Sequence, residues 1–240
     1  MRGKSNLIVV KTHFLQEIMM EELEPAKQKF LIVDDHEAIL EGTIPALRTK
    51  YTAADIFTAK DLKATEELID QYRFNLVVVD LSLPRSPGDS PKVEVGMQLL
   101  ENLMQTTYAP NIVVLSTNIK PIVRIKHIVN AYEGGFAAMD KSLPLTEMLK
   151  FIDIVQRGSI YLPKEVRSRP EFDRKWLEVL TLKYQEGLSD KAIAKQMSIT
   201  DRTVRNYWIR IQDALGVFDS PDKDLRVQIE IAARKSGLIN

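Results

Sequence analysis

The chain contains no cysteine, which excludes disulfides, thiolate metal sites and thiol nucleophiles together and makes an oxidising compartment unnecessary for folding. A reducing, cytoplasmic setting is expected. It also lacks long apolar runs. Leu7-Ile8-Val9-Val10 stops at Lys11, too short for the core of a secretion signal, and no stretch approaches the roughly 18 apolar residues of a membrane span. No membrane partner is expected. There is no excess charge of either sign, with 33 Lys+Arg against 33 Asp+Glu, so any charged partner must be met by a local patch. No internal repeat and no low-complexity tract occurs. What is present is 45% hydrophobic residues in 240, enough to exclude overall disorder and to build one large domain or two small ones.

The apolar residues are grouped. Phe30-Leu31-Ile32-Val33 runs straight into Asp34-Asp35, Leu76-Val77-Val78-Val79 into Asp80, and Ile112-Val113-Val114-Leu115 into Ser116. Short Val- and Ile-rich runs suit parallel strands covered on both faces. Weaker strands are expected at Ile56-Phe57-Thr58 and near Phe136 to Met139, five in all. Segments of helical period lie between them, at Ile39 to Leu47, Leu62 to Tyr72, Gly96 to Met104 and Ile122 to Tyr132. The spacing predicts an α/β, flavodoxin-like doubly wound domain over residues 30–157. Residues 1–29 form an N-terminal arm, with Leu7, Val10, Phe14, Ile18 and Met19 at near-helical spacing. Residues 158–170, punctuated by proline, read as a linker. From Glu171 onward strand signals vanish, and residues 171–240 are expected to fold as a small all-α domain.

In a doubly wound sheet the strand ends meet at one edge, which gathers Asp34, Asp35, Asp80, Ser116 and Lys141. Clustered carboxylates repel unless a cation sits among them, and an all-oxygen, partly solvated site with about six ligands suits Mg²⁺. A carboxylate held beside Mg²⁺ and a lysine is a plausible nucleophile toward phosphorus, because the two cations neutralise the oxygens of a transferring phosphoryl group.

This constellation resembles the receiver domain of two-component response regulators, through Leu31-Ile32-Val33-Asp34-Asp35-His36, Val79-Asp80-Leu81-Ser82-Leu83-Pro84, Val114-Leu115-Ser116 and Asp140-Lys141-Ser142. The resemblance implies that Asp80 accepts a phosphoryl group from a histidine kinase or a phosphotransfer protein. It also implies that Asp34, Asp35, Asp80 and the backbone carbonyl of Ser82 hold Mg²⁺, and that Ser116 and Lys141 sense the phosphate. Several positions depart from the family pattern. Ala138 stands where an aromatic switch residue is usual, residues 85–95 make a longer loop than usual over the acceptor edge, and Thr117 follows Ser116 where small residues are common. Pro45 lies inside the first helix and should kink it.

In the C-terminal part, Ser189 caps a short helix with an apolar face at Ile193, Ala194 and Met197. A second helix opens near Thr200. Val204, Trp208, Ile211 and Leu215 share its inward face, while Arg202, Arg205, Asn206 and Ile209 point the other way. Two short helices, a tight turn and a basic outer face describe a helix-turn-helix. It resembles the LuxR-type domain of NarL/FixJ regulators, through Glu178-Val179-Leu180, Gly187-Leu188-Ser189, Ile193-Ala194, Thr203-Val204-Arg205 and Leu215-Gly216-Val217. The resemblance implies double-stranded DNA as partner. Arg205 and Asn206 would face base edges, and Lys191, Lys195, Thr203 and Tyr207 would hold phosphates. The segment from Leu225 to Ala233, with Val227 and Ile231, resembles the helix by which such domains form homodimers; packing onto its own domain is the alternative.

The expectation from these features is a DNA-binding transcription factor controlled by phosphorylation, a regulator and not an enzyme. The second reading is a phosphorylation-independent regulator, or a protein-interaction module with a degenerate receiver. A flavin-dependent redox enzyme is a third, against which stands the absence of a phosphate-cradling Ser/Thr/Gly loop after the first strand.

Overall fold

The computed structural model describes residues 27–240; the apolar positions of the N-terminal arm lie outside them. Six strands form one parallel sheet: β1 (Lys29–Val33), β2 (Asp55–Ala59), β3 (Leu76–Asp80), β4 (Asn111–Ser116), β5 (Phe136–Asp140) and β6 (Ile160–Tyr161), in the order β2-β1-β3-β4-β5-β6. The order reverses at β1, so the crevice beside it lies at the C-terminal ends of β1 and β3, where the acidic residues are. Strand period sorts the core into two layers. Leu31, Val33, Val77, Val79, Ile112, Val114, Phe136 and Ala138 pack on one face, and Phe30, Ile32, Leu76, Val78, Val113, Leu115, Ala137 and Met139 on the other. The second face is covered by α1 (Glu37–Lys50) and α5 (Leu145–Val155); α2 (Leu62–Gln71) and α3 (Val93–Met104) cover the first.

One local feature bears on the kink expected at Pro45, and two differ from the sequence expectation. Helical bonding in α1 continues through Pro45 to Lys50; Pro45 is exposed, so the Glu41 carbonyl it leaves without a partner can be solvated. The helix expected from Ile122 to Tyr132 is divided into a 3₁₀ helix (Lys120–Ile125) and a short α4 (Lys126–Asn130). Pro121 stands in its first turn, and the three-residue repeat stacks Ile122 and Ile125 together into the sheet cluster. The stretch expected as a linker holds the sixth strand, which pairs with β5 at Phe136 and Ala137, followed by α6 (Lys164–Arg167). Leu162 and Val166 from this stretch are buried in the sheet cluster.

The long segment after Pro84 is closed by a bridge between Leu83 and Lys92. Its start is pinned by Leu62 N–H to the Pro84 carbonyl at 3.0 Å and Lys63 N–H to the Arg85 carbonyl at 3.1 Å, which satisfies two N–H groups that the first turn of α2 leaves free. Just beyond, α3 crosses the backbone that follows Asp80 so closely that a Cβ on Gly96 would lie 2.1 Å from the Leu81 carbonyl oxygen. The obstacle is backbone. Gly96→Ala should therefore lower stability by at least the roughly 1–3 kcal/mol typical of overpacking, read from the midpoint of urea unfolding.

The C-terminal residues form α7 (Arg174–Tyr184), α8 (Asp190–Gln196), α9 (Asp201–Leu215) and α10 (Leu225–Lys235). Ser189 caps α8 by accepting from Ala192 N–H, and Thr200 caps α9 by accepting from Thr203 N–H. Gly216, at φ +64°, ends α9 in the left-handed conformation that glycine tolerates best. Val179, Leu180, Ile193, Val204, Trp208, Ile211 and Ile229 make a separate apolar cluster.

Candidate phosphoacceptor site and nucleic-acid interface

The register of the sheet brings the strand-end residues together. Asp34 follows β1, whose Val33 pairs with Val79, one residue before Asp80; Ser116 pairs with Asp140, one residue before Lys141. Asp34, Asp80 and Ser116 are buried, 2%, 4% and 2% exposed, and Asp35, Ser82 and Lys141 are half-buried. The ammonium of Lys141 bridges the acids, 2.7 Å from Asp34 Oδ2 and 2.7 Å from Asp80 Oδ2. Ser82 N–H donates to the other oxygen of Asp80 at 3.1 Å.

The electrostatics follow from one cation facing three carboxylates. Burial pushes the Asp80 carboxyl above the usual aspartate range, and the bonds from Lys141 and Ser82 do not overcome it. For Lys141 burial alone would lower the value; the bonds to Asp34 and Asp80 outweigh it and hold the ammonium above the usual lysine range. Asp34, Asp35, His36 and Asp80 each present a donor atom within 4.8 Å of one another. Asp35 Oδ1 is buried without a hydrogen-bond partner, although His36 Nδ1 stands 2.8 Å away. An excess of negative charge and four donor atoms within 4.8 Å of one another fit a bound cation, so the acidic cluster is compatible with a metal.

Ser116 lies at the same edge but is engaged with its own turn. Its Oγ accepts from Asn118 N–H at 3.2 Å and donates to the Asn118 carbonyl at 3.3 Å. Ala138 is fully buried beside the sheet cluster that holds Ile122 and Ile125, and Thr117 is exposed just past the strand end. His36, quoted in the first motif without a role, was missed. Its N–H donates to Asp34 Oδ1 at 2.9 Å and its ring approaches the same atom at 3.2 Å. Its place directly after the acid pair was the available signal.

On the helical unit, Arg202, Arg205, Asn206 and Ile209 are exposed on one side of α9, and Lys191 and Lys195 are exposed on α8. Ile209 is 57% exposed, unusual for an isoleucine on a helix whose opposite side carries buried Val204, Trp208 and Ile211. Thr203 is half-buried, its hydroxyl 2.9 Å from that of Thr200, and Tyr207 is half-buried against the apolar cluster. The angle between α8 and α9 is fixed by a group that sequence reasoning passed over. Asp190 accepts from the Trp208 indole N–H at 3.3 Å and from Arg226 at 3.1 Å, and the Arg226 guanidinium lies 3.7 Å from the centre of the Trp208 ring. The sequence places these three residues on three helices with no shared periodicity, so only the packed structure joins them.

A model of the response regulator receiver domain matches residues 30–153. Among curated proteins, the chain is 28% identical over 207 residues to the methanol utilization control regulatory protein MoxX of Paracoccus denitrificans, covering 81% of this chain and 88% of that one. It is 22% identical to the transcriptional regulatory protein DegU of Brevibacillus brevis, covering 92% and 99%. Among solved structures it is similar in fold to RcsB of Salmonella enterica serovar Typhimurium bound to the promoter rprA in the presence of a phosphomimetic. The TM-score is 0.54 and the identity 21%, covering 88% of this chain and 98% of that one. The matching model spans the whole acid crevice, and the regulators it resembles extend through both folded units: the chain belongs to the response regulator receiver domain family, as a regulator of the NarL/FixJ type.

Proposed function

We propose that the protein is a DNA-binding response regulator, a transcription factor and not an enzyme, whose receiver takes a phosphoryl group on Asp80. The observation that carries this reading is the bridge of Lys141 between Asp34 and Asp80, in one chain with a helix that turns two arginines and an asparagine to solvent. In the transfer a carboxylate oxygen of Asp80 attacks phosphorus, an O–P bond forms, and the P–N bond of a kinase or phosphotransfer-protein phosphohistidine breaks with its electron pair left on the imidazole nitrogen. Asp34, Asp35, Asp80 and the Ser82 carbonyl would hold Mg²⁺, which supplies charge neutralisation at the phosphoryl oxygens when bound. The contact of Lys141 with both carboxylates supports its shift to those oxygens, and Ser116, at the same edge, would donate to one after leaving the Asn118 carbonyl. The cysteine-free composition supports a cytoplasmic setting, and among the described residues no helix is long and apolar enough to cross a membrane.

On the output side, α9 is the element for the major groove of double-stranded DNA. Arg205 and Asn206 read base edges, with Arg202 and Ile209 beside them. Lys191, Lys195, Thr203 and Tyr207 lie toward the backbone phosphates. One such unit reads few base pairs, so a two-fold pair of half-sites is required for affinity. The exposed Val227 and Ile231, 51% and 61% accessible on one side of α10, supply a face for a second copy. Light scattering should show a dimer after treatment with acetyl phosphate and Mg²⁺; a monomer before and after treatment, bound one to one on DNA, contradicts the dimer. The whole reading is tested by mass measurement of phosphoryl uptake and by selection of a binding site from random duplexes. A phosphate-independent regulator is the second reading, favoured by Ala138 in place of an aromatic switch. It is the one to adopt if site-specific DNA binding occurs without any phosphoryl uptake.

A further inference from the structure

One turn of α9 beyond Arg205 and Asn206, the outward side changes character. Arg202, Arg205, Asn206, Ile209 and Asp213 follow one another at the three- and four-residue steps that keep side chains on one side of a helix, and all are exposed. Ile209, 57% accessible, is the apolar member of this group. It does not support the fold: among the described residues, none of the apolar clusters includes it, and the buried side of α9 is made by Val204, Trp208 and Ile211. A β-branched residue also adds less to a helix than alanine or lysine would. Single apolar residues on a surface are common, but this one stands among the side chains that carry the polar chemistry of the helix.

Its own chemistry limits what it can face in a major groove. The groove presents donors and acceptors on the edges of guanine, adenine and cytosine, and an apolar feature on thymine, the C5-methyl group. Isoleucine can satisfy none of the polar atoms. Pressed against them it strips their water without replacing a hydrogen bond, so the sequences that present them are disfavoured. Against a thymine methyl it removes water from two apolar surfaces, which is favourable. The position of that thymine follows from helix and duplex geometry. Ile209 lies four residues after Arg205, about 6 Å along the helix axis, and successive bases are about 3.4 Å apart, so the two side chains address positions within about two base pairs of each other. Asp213 marks the limit of the contact. Its carboxylate is repelled by backbone phosphates, so the outward side turns from attracting to repelling DNA one turn past Ile209.

We propose that Ile209 is a specificity-determining residue that selects a thymine by its methyl group, within about two base pairs of the guanine bound by Arg205. The proposal rests on the DNA-binding reading given above and adds to it the composition of the half-site. A guanine read through hydrogen bonds stands near a thymine read through an apolar contact. The apolar contact carries no salt dependence, because it releases no counterion.

The test removes the methyl group and nothing else. A site is selected from random duplexes with the full-length protein, and the guanine is located as the base pair at which Arg205→Ala no longer discriminates. Each thymine of the site is then replaced in turn by uracil, whose hydrogen-bonding edge is unchanged, and affinity is measured by fluorescence anisotropy. One thymine at the stated distance should lose about fourfold in affinity as uracil, the value of one buried methyl group. Ile209→Ala should bind the thymine duplex about as weakly as the parent binds the uracil duplex, and should lose nothing further on uracil. It should leave the slope of log affinity against log salt unchanged. Ile209→Val, which keeps the branched Cβ, should retain part of the preference. The position is exposed and outside the apolar cluster, so neither variant disturbs folding. Uracil tolerated at every position overturns the proposal, and so does a uracil penalty that Ile209→Ala retains in full. An Ile209→Ala variant that weakens selected and scrambled duplexes alike assigns the residue to the sugar-phosphate backbone and also overturns it. If no duplex is selected over scrambled DNA, the DNA-binding reading fails and the proposal fails with it; a selected site indifferent to uracil fails the proposal alone.

Discussion

Asp80→Asn should abolish phosphoryl uptake from acetyl phosphate. The amide nitrogen is not a nucleophile toward phosphorus, and Asp80 is the proposed acceptor, held by Lys141 at 2.7 Å and by the Ser82 N–H at its other oxygen. Asp34 makes a matching pair of contacts, to Lys141 at 2.7 Å and to the His36 N–H at its other oxygen, and is expected to serve as a metal ligand. Intact-mass spectrometry measures the outcome. Uptake by the native protein should also vanish in EDTA, because three carboxylates against one ammonium otherwise repel the incoming group. Lys141→Gln removes the ammonium that bridges Asp34 and Asp80 and should slow uptake by roughly 10²–10³-fold, the usual cost of removing a preorganised electrostatic stabiliser. Incorporation that persists in Asp80→Asn, or that is indifferent to EDTA, would overturn the assignment.

Arg205→Ala and Lys191→Ala should fail in different ways on DNA. Arg205 is exposed on the outward side of α9 one turn from Ile209, and its planar guanidinium can give two parallel hydrogen bonds to a guanine edge, worth about 1–3 kcal/mol of discrimination. Its loss should narrow the gap between a selected duplex and a scrambled one by that amount. Lys191 is exposed near the start of α8, where its ammonium reaches a backbone phosphate and carries no base information. Its loss should weaken all duplexes alike and reduce the slope of log affinity against log salt by about one ion. Both variants are surface changes outside the apolar cluster, so folding is not at issue. If Arg205→Ala lowers both affinities equally while Lys191→Ala erases the preference, α9 does not lie in the major groove as proposed.

Much of the molecule was legible in the sequence because the relevant signals are local. A Val- and Ile-rich run that stops at an aspartate marks both a buried strand and the polar residue at its end, so Asp34, Asp35, Asp80 and Ser116 could be placed at one edge once the strands were taken as parallel. Caps behave likewise: Ser189 and Thr200 start α8 and α9 within the reach of a single side chain. The inward period of Val204, Trp208 and Ile211 was readable for the same reason. Other features left no such trace. Strand β6 is only Ile160 and Tyr161, both exposed, too short a run to mark a strand in the sequence, and the open edge of β5 is what makes it one. The split after β4 reflects Val123 joining the helical cluster while Ile122 and Ile125 join the sheet cluster, a division of neighbours that no single periodicity describes.

The sequence by itself determined the parallel α/β sheet with its acid edge, the change to an all-helical region, and the basic outer side of α9, because each depends on residues a few positions apart whose burial or exposure follows from period alone. Only the tertiary structure decided the bridge of Lys141 between Asp34 and Asp80, the Asp190–Trp208–Arg226 tie, and the grip of Arg124 on Gly237 across 113 residues of chain. Each of these is a hydrogen bond or ion pair between groups that meet only after separate elements have packed. Their geometry is set by the volumes of the side chains beneath them, a quantity that the order of residues along the chain does not display.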